Sequence, residues 1–319
     1  MTFNDRIKRF KRVMARNAMF TVTRMIRGIS YSGMRSLTRV LFAIGFPFLI
    51  KQKRLTRESL NIAFAGEKSS QEVDRIFHDC FQNVADGMME LMFCMEHPEW
   101  IPKMAYFEGK EHLDNALKQG KGAIAVSAHF GNFPLMLLYM VRQGYKTNAI
   151  IRPTRDQEIE IHFQGLRSRL GLNTVYSLPR KQCVDASIRA LRNNEVLFIP
   201  LDQNFGSNGG VFVDFFGQKA ATAAGPIIFA MRTKSPVLPV FTVRQPDGRH
   251  KIIIEPPLEM EIKTTDQETM VHNVSRITKI IETYIRRYPQ EWGWMHRRWK
   301  SQPTLEQSAA SNASTEPLL

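Results

Sequence analysis

The sequence predicts an α/β fold built on a largely parallel sheet flanked by helices. Two observations carry this. From Gly122 onward, short apolar runs alternate with helix-like stretches: "GAIAVSA", "TNAIIR", "NTVYSL", "EVLFIPL", "VFVDFF", "SPVLPVFTV" and "HKIIIEPP" are separated by helical segments near residues 134–143, 155–170, 181–193 and 221–233. That alternation is the pattern of strands and helices in a sheet covered on both faces. In addition, the 319 residues with 43% hydrophobic and 10% aromatic content suffice for a sizeable core.

The segment ahead of this body differs in charge. Of the net charge of +14, residues 1–57 hold 14 Lys or Arg against Asp5 alone, while the remainder holds 30 basic and 29 acidic residues. Met19, Phe20, Val22, Met25, Ile26, Ile29 and Leu37 lie between those charges, followed by "VLFAIGFPFLI" (Val40–Ile50), flanked by Arg39 and by Lys51, Lys53, Arg54 and Arg57. Apolar side chains interleaved with cations suit the boundary of an anionic membrane surface. The 11-residue run is shorter than the ~20 residues of a spanning helix, and Gly45 and Pro47 interrupt it, so a monotopic or re-entrant helical anchor is expected rather than a full span. A basic arm packed on the protein's own core is the competing expectation. No cleavable signal peptide is expected, because no small-residue cleavage site follows the run.

After the anchor, "SSQEVDRIFHDCFQNVADGMMELMF" repeats apolar residues at helical spacing, with Ser69 or Ser70 as N-cap. A last helix is expected over about 265–288, leading into "YPQEWGWMHRRWK". The Ser/Ala/Thr-rich end is expected to be disordered. The organisation read here is therefore a membrane-associating segment over 1–57, an α/β domain over 58–300 and a tail over 301–319. Cys80, Cys94 and Cys183 are widely spaced and lack ligand spacing, so neither a disulfide framework nor a zinc site is indicated and a cytosol-facing location fits best.

Chemistry concentrates at "AVSAHFGNFPLMLLYM" (Ala125–Met140). His129 stands at the carboxyl end of a buried strand, where ligands bind in such sheets. Gly131 and Asn132 then turn the chain into a helix that begins near Pro134. A helix N-terminus beside the imidazole disfavours its protonated form, and the same N–H groups suit an oxyanion or phosphate. His78, His97, His112, His162, His250 and His272 show no convergent polar set and are read as structural or solvent-exposed. "GSNGG" at 206–210 lacks Rossmann or Walker spacing and is read as a turn. Trp292, Trp294 and Trp299 with Arg297, Arg298 and Lys300 fit either an interfacial aromatic belt or a nucleic-acid stacking patch; no nucleic-acid module accompanies them, so the belt is preferred.

"SAHFGNFPLM", "IIRP", "IPLDQNFGSNGGVFVDFFGQKAATAAGPIIFAMRTKSPVLPVF" and "WGWMHRRWK" together resemble, in order and interval, the bacterial lipid A biosynthesis acyltransferases (lauroyl and myristoyl type) of the lysophospholipid acyltransferase superfamily. The resemblance covers roughly residues 10–302. It implies a glycerolipid acyltransferase-like fold. The reaction implied carries a fatty acyl chain from an acyl carrier protein or coenzyme A thioester to a hydroxyl of a glycolipid, on the cytoplasmic face of a bacterial inner membrane. No metal or redox cofactor is implied, and no nucleic acid. A docking acidic carrier protein would meet the basic N-terminal or C-terminal surface.

In that family a His, four residues and then Asp or Glu form the catalytic pair. His129 matches the base, but the acid position falls on Pro134, which cannot ionise. Three readings stay open: Asp202, at the end of "EVLFIPL" on the same sheet edge, replaces the acid; His129 works without a carboxylate; or acyl transfer has been lost and the fold only binds lipid. Asp202 also suits a cap on the turn into Asn204 and Gly206. The resemblance further implies substrate contacts at Gln203, beside Asp202, and at Arg152 in "IIRP", a guanidinium able to grip phosphate. Arg155, Arg167 and Arg169 could extend that anionic pocket, or could belong to a solvated helical face. Thr222 lies among the small residues Ala220–Gly225, where an acyl chain or pantetheine could approach the backbone; tight helix packing is the alternative.

Overall fold

The computed structural model describes residues 3–154, 156–206 and 210–303. Arg155, the centre of "GSNGG" and the expected tail beyond residue 303 lie outside the described residues. Four helices come first: α1 (Phe3–Ile26), α2 (Tyr31–Gly45), α3 (Ile50–Phe64) and α4 (Ser70–Glu96). There follow α5 (Ile101–Met104), β1 (Ala105–Glu108), α6 (Lys110–Lys118), β2 (Ala123–Ser127), α7 (Phe133–Arg142), β3 (Thr147–Ile151), α8 (Gln157–Arg169), β4 (Asn173–Tyr176), α9 (Arg180–Arg192) and β5 (Val196–Pro200). The chain closes with the hairpin β6 (Gly210–Phe215) and β7 (Gln218–Ala223), then α10 (Gly225–Thr233), β8 (Val237–Arg244), β9 (His250–Ile254) and α11 (Asp266–Arg287).

Seven strands form the main sheet in the order β1-β9-β8-β2-β5-β3-β4. The pairings from β8 through β4 are parallel, and β9 joins β8 antiparallel. Central β2 is buried along its whole length, with Ile124 and Val126 in one apolar core and Ala123 and Ala125 in the other. Two layers therefore cover the sheet, as the run-and-helix alternation predicts. β1 was not foreseen: four residues between Met104 and a helix-starting Gly109 are too few for a clear period.

The segment over 221–233 departs from the expected helix. Residues 218–223 form β7, and the helix starts only at Gly225. The alanines suggested helix, but Phe216 and Gly217 both adopt positive φ (53° and 71°), the two-residue loop that matches strand twist in a hairpin. The long helix after the anchor is α4, whose N-cap Ser69 forms a reciprocal capping box with Glu72.

The N-terminal helices lie against the body. Ile26 and Met34 are buried, Tyr31 stacks on Trp100 at 5.0 Å, and the carbonyl of Ile26 bonds His97 Nε2 at 3.0 Å. The charge boundary at Arg57 falls inside α3, which runs on unbroken. Among the described residues no single helix is long and apolar enough to cross a membrane; Tyr31–Phe48 and Ile50–Phe64 reach that length and composition together but meet at 83°. Near this bend Ile44, Phe48 and Ile50 are 62%, 79% and 76% exposed, beside exposed Lys51 and Arg54.

Candidate active site

The sheet register brings the two catalytic candidates together. β2 pairs β5 with Ser127 opposite Pro200, and Leu201 N donates to Ser127 O at 2.8 Å. His129 and Asp202 each stand two residues beyond that matched pair, side by side on the carboxyl edge. His129 Nδ1 lies 2.8 Å from Asp202 Oδ1. Trp292 Nε1 donates to the other oxygen, Oδ2, at 2.8 Å. The carboxylate is buried, while the imidazole keeps 28% of its side-chain surface.

The electrostatics follow from this arrangement. Burial opposes ionisation of Asp202, but the charge and hydrogen bond of His129, the neighbouring His296 and the Trp292 N–H together hold the carboxyl well below the usual range. Burial also lowers the pKa of His129; the Asp202 charge and hydrogen bond outweigh it and raise the imidazole above its ordinary value. The helix terminus was expected to keep the ring neutral, and the buried carboxylate reverses that direction. With Nδ1–H donated to Asp202, Nε2 presents its lone pair outward, where Gln203 Nε2 lies 3.1 Å away and donates to it.

The turn after His129 is fixed by sterics. Gly131 has φ +55°, and a Cβ there would fall 2.0 Å from the carbonyl oxygen of Thr242 on β8. Its N–H donates to Glu291 O at 2.7 Å. Asn132 caps α7, its side-chain oxygen accepting from Leu135 N at 3.3 Å, and Pro134 occupies the first turn, where a missing N–H does little harm. Asn132 is buried, and its amide donates to Gly87 O and Glu90 Oε2. The N–H of Gly131 and the side chain of Asn132, both read as substrate-binding candidates, thus have partners within the protein.

Thr222 is fully buried, donates to Ala220 O at 3.0 Å and accepts from Arg298 Nη2 at 2.5 Å. Arg298 Nη1 also reaches Ala221 O at 2.6 Å and Gln203 O at 3.2 Å, tying the hairpin to the loop that carries Asp202. Burial lowers the Arg298 guanidinium to about 10 against the opposing pull of Asp202. Arg152 is exposed just beyond β3 on the carboxyl edge. Arg167 pairs with Glu160 at 2.7 Å and Arg169 bonds Met95 O, so neither stands free as an anion ligand.

The "WGWMHRRWK" block is a clamp rather than an interfacial belt. Trp292 and Trp294 are fully buried, and Phe130 forms a β-bridge with Trp292 while Gly293 N donates to His129 O at 3.2 Å. His296, which the sequence did not single out, lies with its ring centre 5.2 Å from that of His129; burial lowers its pKa, Asp202 opposes that and His129 adds to it. His250 was read as solitary, yet it is buried and bonds Glu90 Oε2 at 2.9 Å.

Comparison with known proteins gives a consistent result. The model of the family described as bacterial lipid A biosynthesis acyltransferase matches residues 5–301. The lipid A biosynthesis palmitoleoyltransferase of Escherichia coli (strain K12) is 27% identical over 269 residues, 83% of this chain and 84% of that protein. The lipid A biosynthesis lauroyltransferase of the same organism is 27% identical over 261 residues, 80% and 81% of the two chains. A crystal structure of the 1-acyl-sn-glycerophosphate acyltransferase from Thermotoga maritima superposes with a TM-score of 0.38 at 14% identity, covering 76% of this chain and 96% of that one.

Proposed function

Since this chain belongs to the bacterial lipid A biosynthesis acyltransferase family, we propose that it moves a fatty acyl chain from an acyl carrier protein or coenzyme A thioester to a hydroxyl of a glycolipid, a lipid A precursor, with His129 as general base. The observation that carries this reading is the 2.8 Å contact between His129 Nδ1 and the buried carboxylate of Asp202. It supplies from β5 the acid that Pro134 cannot supply from α7.

The geometry supports the following sequence of steps. Asp202 accepts Nδ1–H and so directs the basic lone pair to Nε2. The acceptor hydroxyl takes the position that the Gln203 amide holds on Nε2, leaving Gln203 to hold substrate. Nε2 removes the hydroxyl proton as the oxygen attacks the thioester carbonyl. The imidazolium, stabilised by Asp202, then returns that proton to the departing thiolate. Arg152, exposed on the same edge, is the cation we assign to an acceptor phosphate.

The N-terminal segment would hold the enzyme on the cytoplasmic face of the inner membrane. Support for this comes from exposed Ile44, Phe48 and Ile50 at a bend flanked by cations. The test of the whole proposal is acyl transfer to a lipid A precursor from acyl carrier protein and coenzyme A donors, comparing wild type with His129→Ala. Loss of transfer in the variant is expected; equal rates in both would overturn the assignment of the base.

A further inference from the structure

Behind the catalytic turn lies a buried polar network that the proposed chemistry does not use. Glu90, on α4, is 4% exposed and accepts four side-chain contacts. Arg244 Nη1 and Nη2, at the end of β8, reach its two oxygens at 2.6 and 2.8 Å; His250 Nε2, at the start of β9, lies 2.9 Å away, and Asn132 Nδ2 lies 3.3 Å away. Burial alone would raise the Glu90 pKa, but hydrogen bonds from His250 and Arg244 bring it to about 2, so it is a carboxylate at neutral pH.

Two of its partners, Asn132 and Arg244, lead back to His129. Asn132 caps α7 three residues after His129. The backbone N of Arg244 donates to Glu291 Oε1 at 3.1 Å, and the carbonyl of Glu291 receives Gly131 N. Asn83, about two turns earlier on the same face of α4, donates to Gln290 O at 3.1 Å. Both sides of the His129 turn are therefore referred to one carboxylate on α4. Buried ion pairs are often no better for stability than apolar residues of equal volume. A bidentate pair joining α4 to β8 under the turn that carries His129 does something an apolar plug cannot: it sets direction as well as distance.

We infer that Glu90 is a positioning residue, which through Asn132 and Arg244 aims the turn carrying His129 at the reacting hydroxyl. This rests on the proposed role of His129. It also gives α4 a part in the reaction, because Tyr31 of α2 packs on Phe93 of α4 at 5.7 Å, so the N-terminal helices bear on the element that sets the turn. A misplacement of about 1 Å can lower turnover roughly a hundredfold while leaving binding intact.

The experiment uses the full chain with Glu90→Gln, Glu90→Asp, Asn132→Ala and the Glu90→Gln/Asn132→Ala double variant. Glu282→Gln, at a buried acid of α11 paired with Arg286, serves as a control for loss of a buried ion pair. Steady-state kinetics are combined with the Nδ1–H resonance of 15N-histidine-labelled protein, assigned by its absence in His129→Ala. The expected result is a kcat lowered about ten- to a hundredfold with KM within about twofold, partial rescue by Glu90→Asp, a double variant no worse than the worse single one, and a displaced His129 resonance. Folded Glu90→Gln with wild-type kcat and resonance would overturn the inference, as would losses matched by Glu282→Gln. Full activity of His129→Ala would instead overturn the reading on which it rests.

Discussion

Asp202 is 73 residues from His129 in sequence and 2.8 Å from it in space, and the register of two parallel strands is what closes that gap. In the proposed mechanism the acid comes from a neighbouring strand end, while Pro134 serves the first turn of α7.

The first prediction concerns that acid. Asp202→Asn keeps the size of the group but turns one acceptor into a donor, so the His129 tautomer that presents Nε2 as a base is no longer favoured. Acyl transfer should fall by about 10²–10⁴-fold with KM little changed. A variant within threefold of wild type would remove Asp202 from the mechanism.

The pH–rate profile follows from the raised pKa of His129. The base acts when unprotonated, so kcat/KM should rise with pH along a limb centred above about 6.5. In Asp202→Asn the raising influences are gone and burial remains, so the residual activity should show its limb displaced to lower pH. For stability, the raised folded pKa means that the His129–Asp202 pair contributes fully below the unfolded histidine value and is lost as pH climbs through the folded one. A limb that stays in place in the variant would contradict this account.

Glu291 gives a second pH effect of different origin. Burial raises it to about 7, with Arg244 opposing and Glu90 adding. The folded protein keeps this proton up to about pH 7 while the unfolded chain releases it near 4.5, so stability declines as pH rises between those values. Glu291→Gln retains an oxygen for Arg244 N and has no proton to lose. Thermal melts should show it matching wild type at pH 5 and exceeding it at pH 8; the reverse order would exclude a protonated Glu291.

Gly131→Ala should be far more harmful than an exposed Gly→Ala change. The added carbon would overlap the Thr242 carbonyl at a φ of +55° that L-residues resist. A lowered melting temperature and loss of transfer are expected together; an active, wild-type-stable variant would mean that the turn can move away from β8.

The N-terminal bend can be tested apart from chemistry. Phe48→Glu with Ile50→Glu places charge on the most exposed apolar pair beside the bend. Sedimentation with anionic phosphatidylglycerol vesicles should fall, whereas transfer to an acceptor in detergent micelles should persist. Unchanged vesicle binding would move the membrane contact elsewhere.

How much of this was legible in the sequence depended on range. Local signals placed every strand among the described residues but β1 and β7, and with them α4, α11 and the strand-end position of His129, because apolar runs and caps act over a few residues. Asp202 could be named because its run ends on the same edge, although nothing in one dimension gave the distance. Glu90, Arg244 and His250 were missed since their partners lie 42 to 160 residues away; the available hint was a carboxylate inside the otherwise apolar run "MMELMF". The tryptophan block misled for the same reason: indoles beside arginines look interfacial until one N–H is seen to meet a buried carboxylate. Thr222 was drawn into the site by small neighbours that belong to a hairpin.

The clamp formed by Trp292, Gly293 and Arg298 also bears on how the protein is made. A nascent chain that has emerged as far as Asp202 already holds both His129 and Asp202. It still lacks the indole that satisfies the second carboxylate oxygen, the backbone that meets Phe130 and Gly131, and the guanidinium that ties down the hairpin. Vectorial synthesis thus leaves the site open until its last strap has cleared the ribosome, and a truncated translation product ending before Trp292 would carry His129 and Asp202 without the frame that holds them in place.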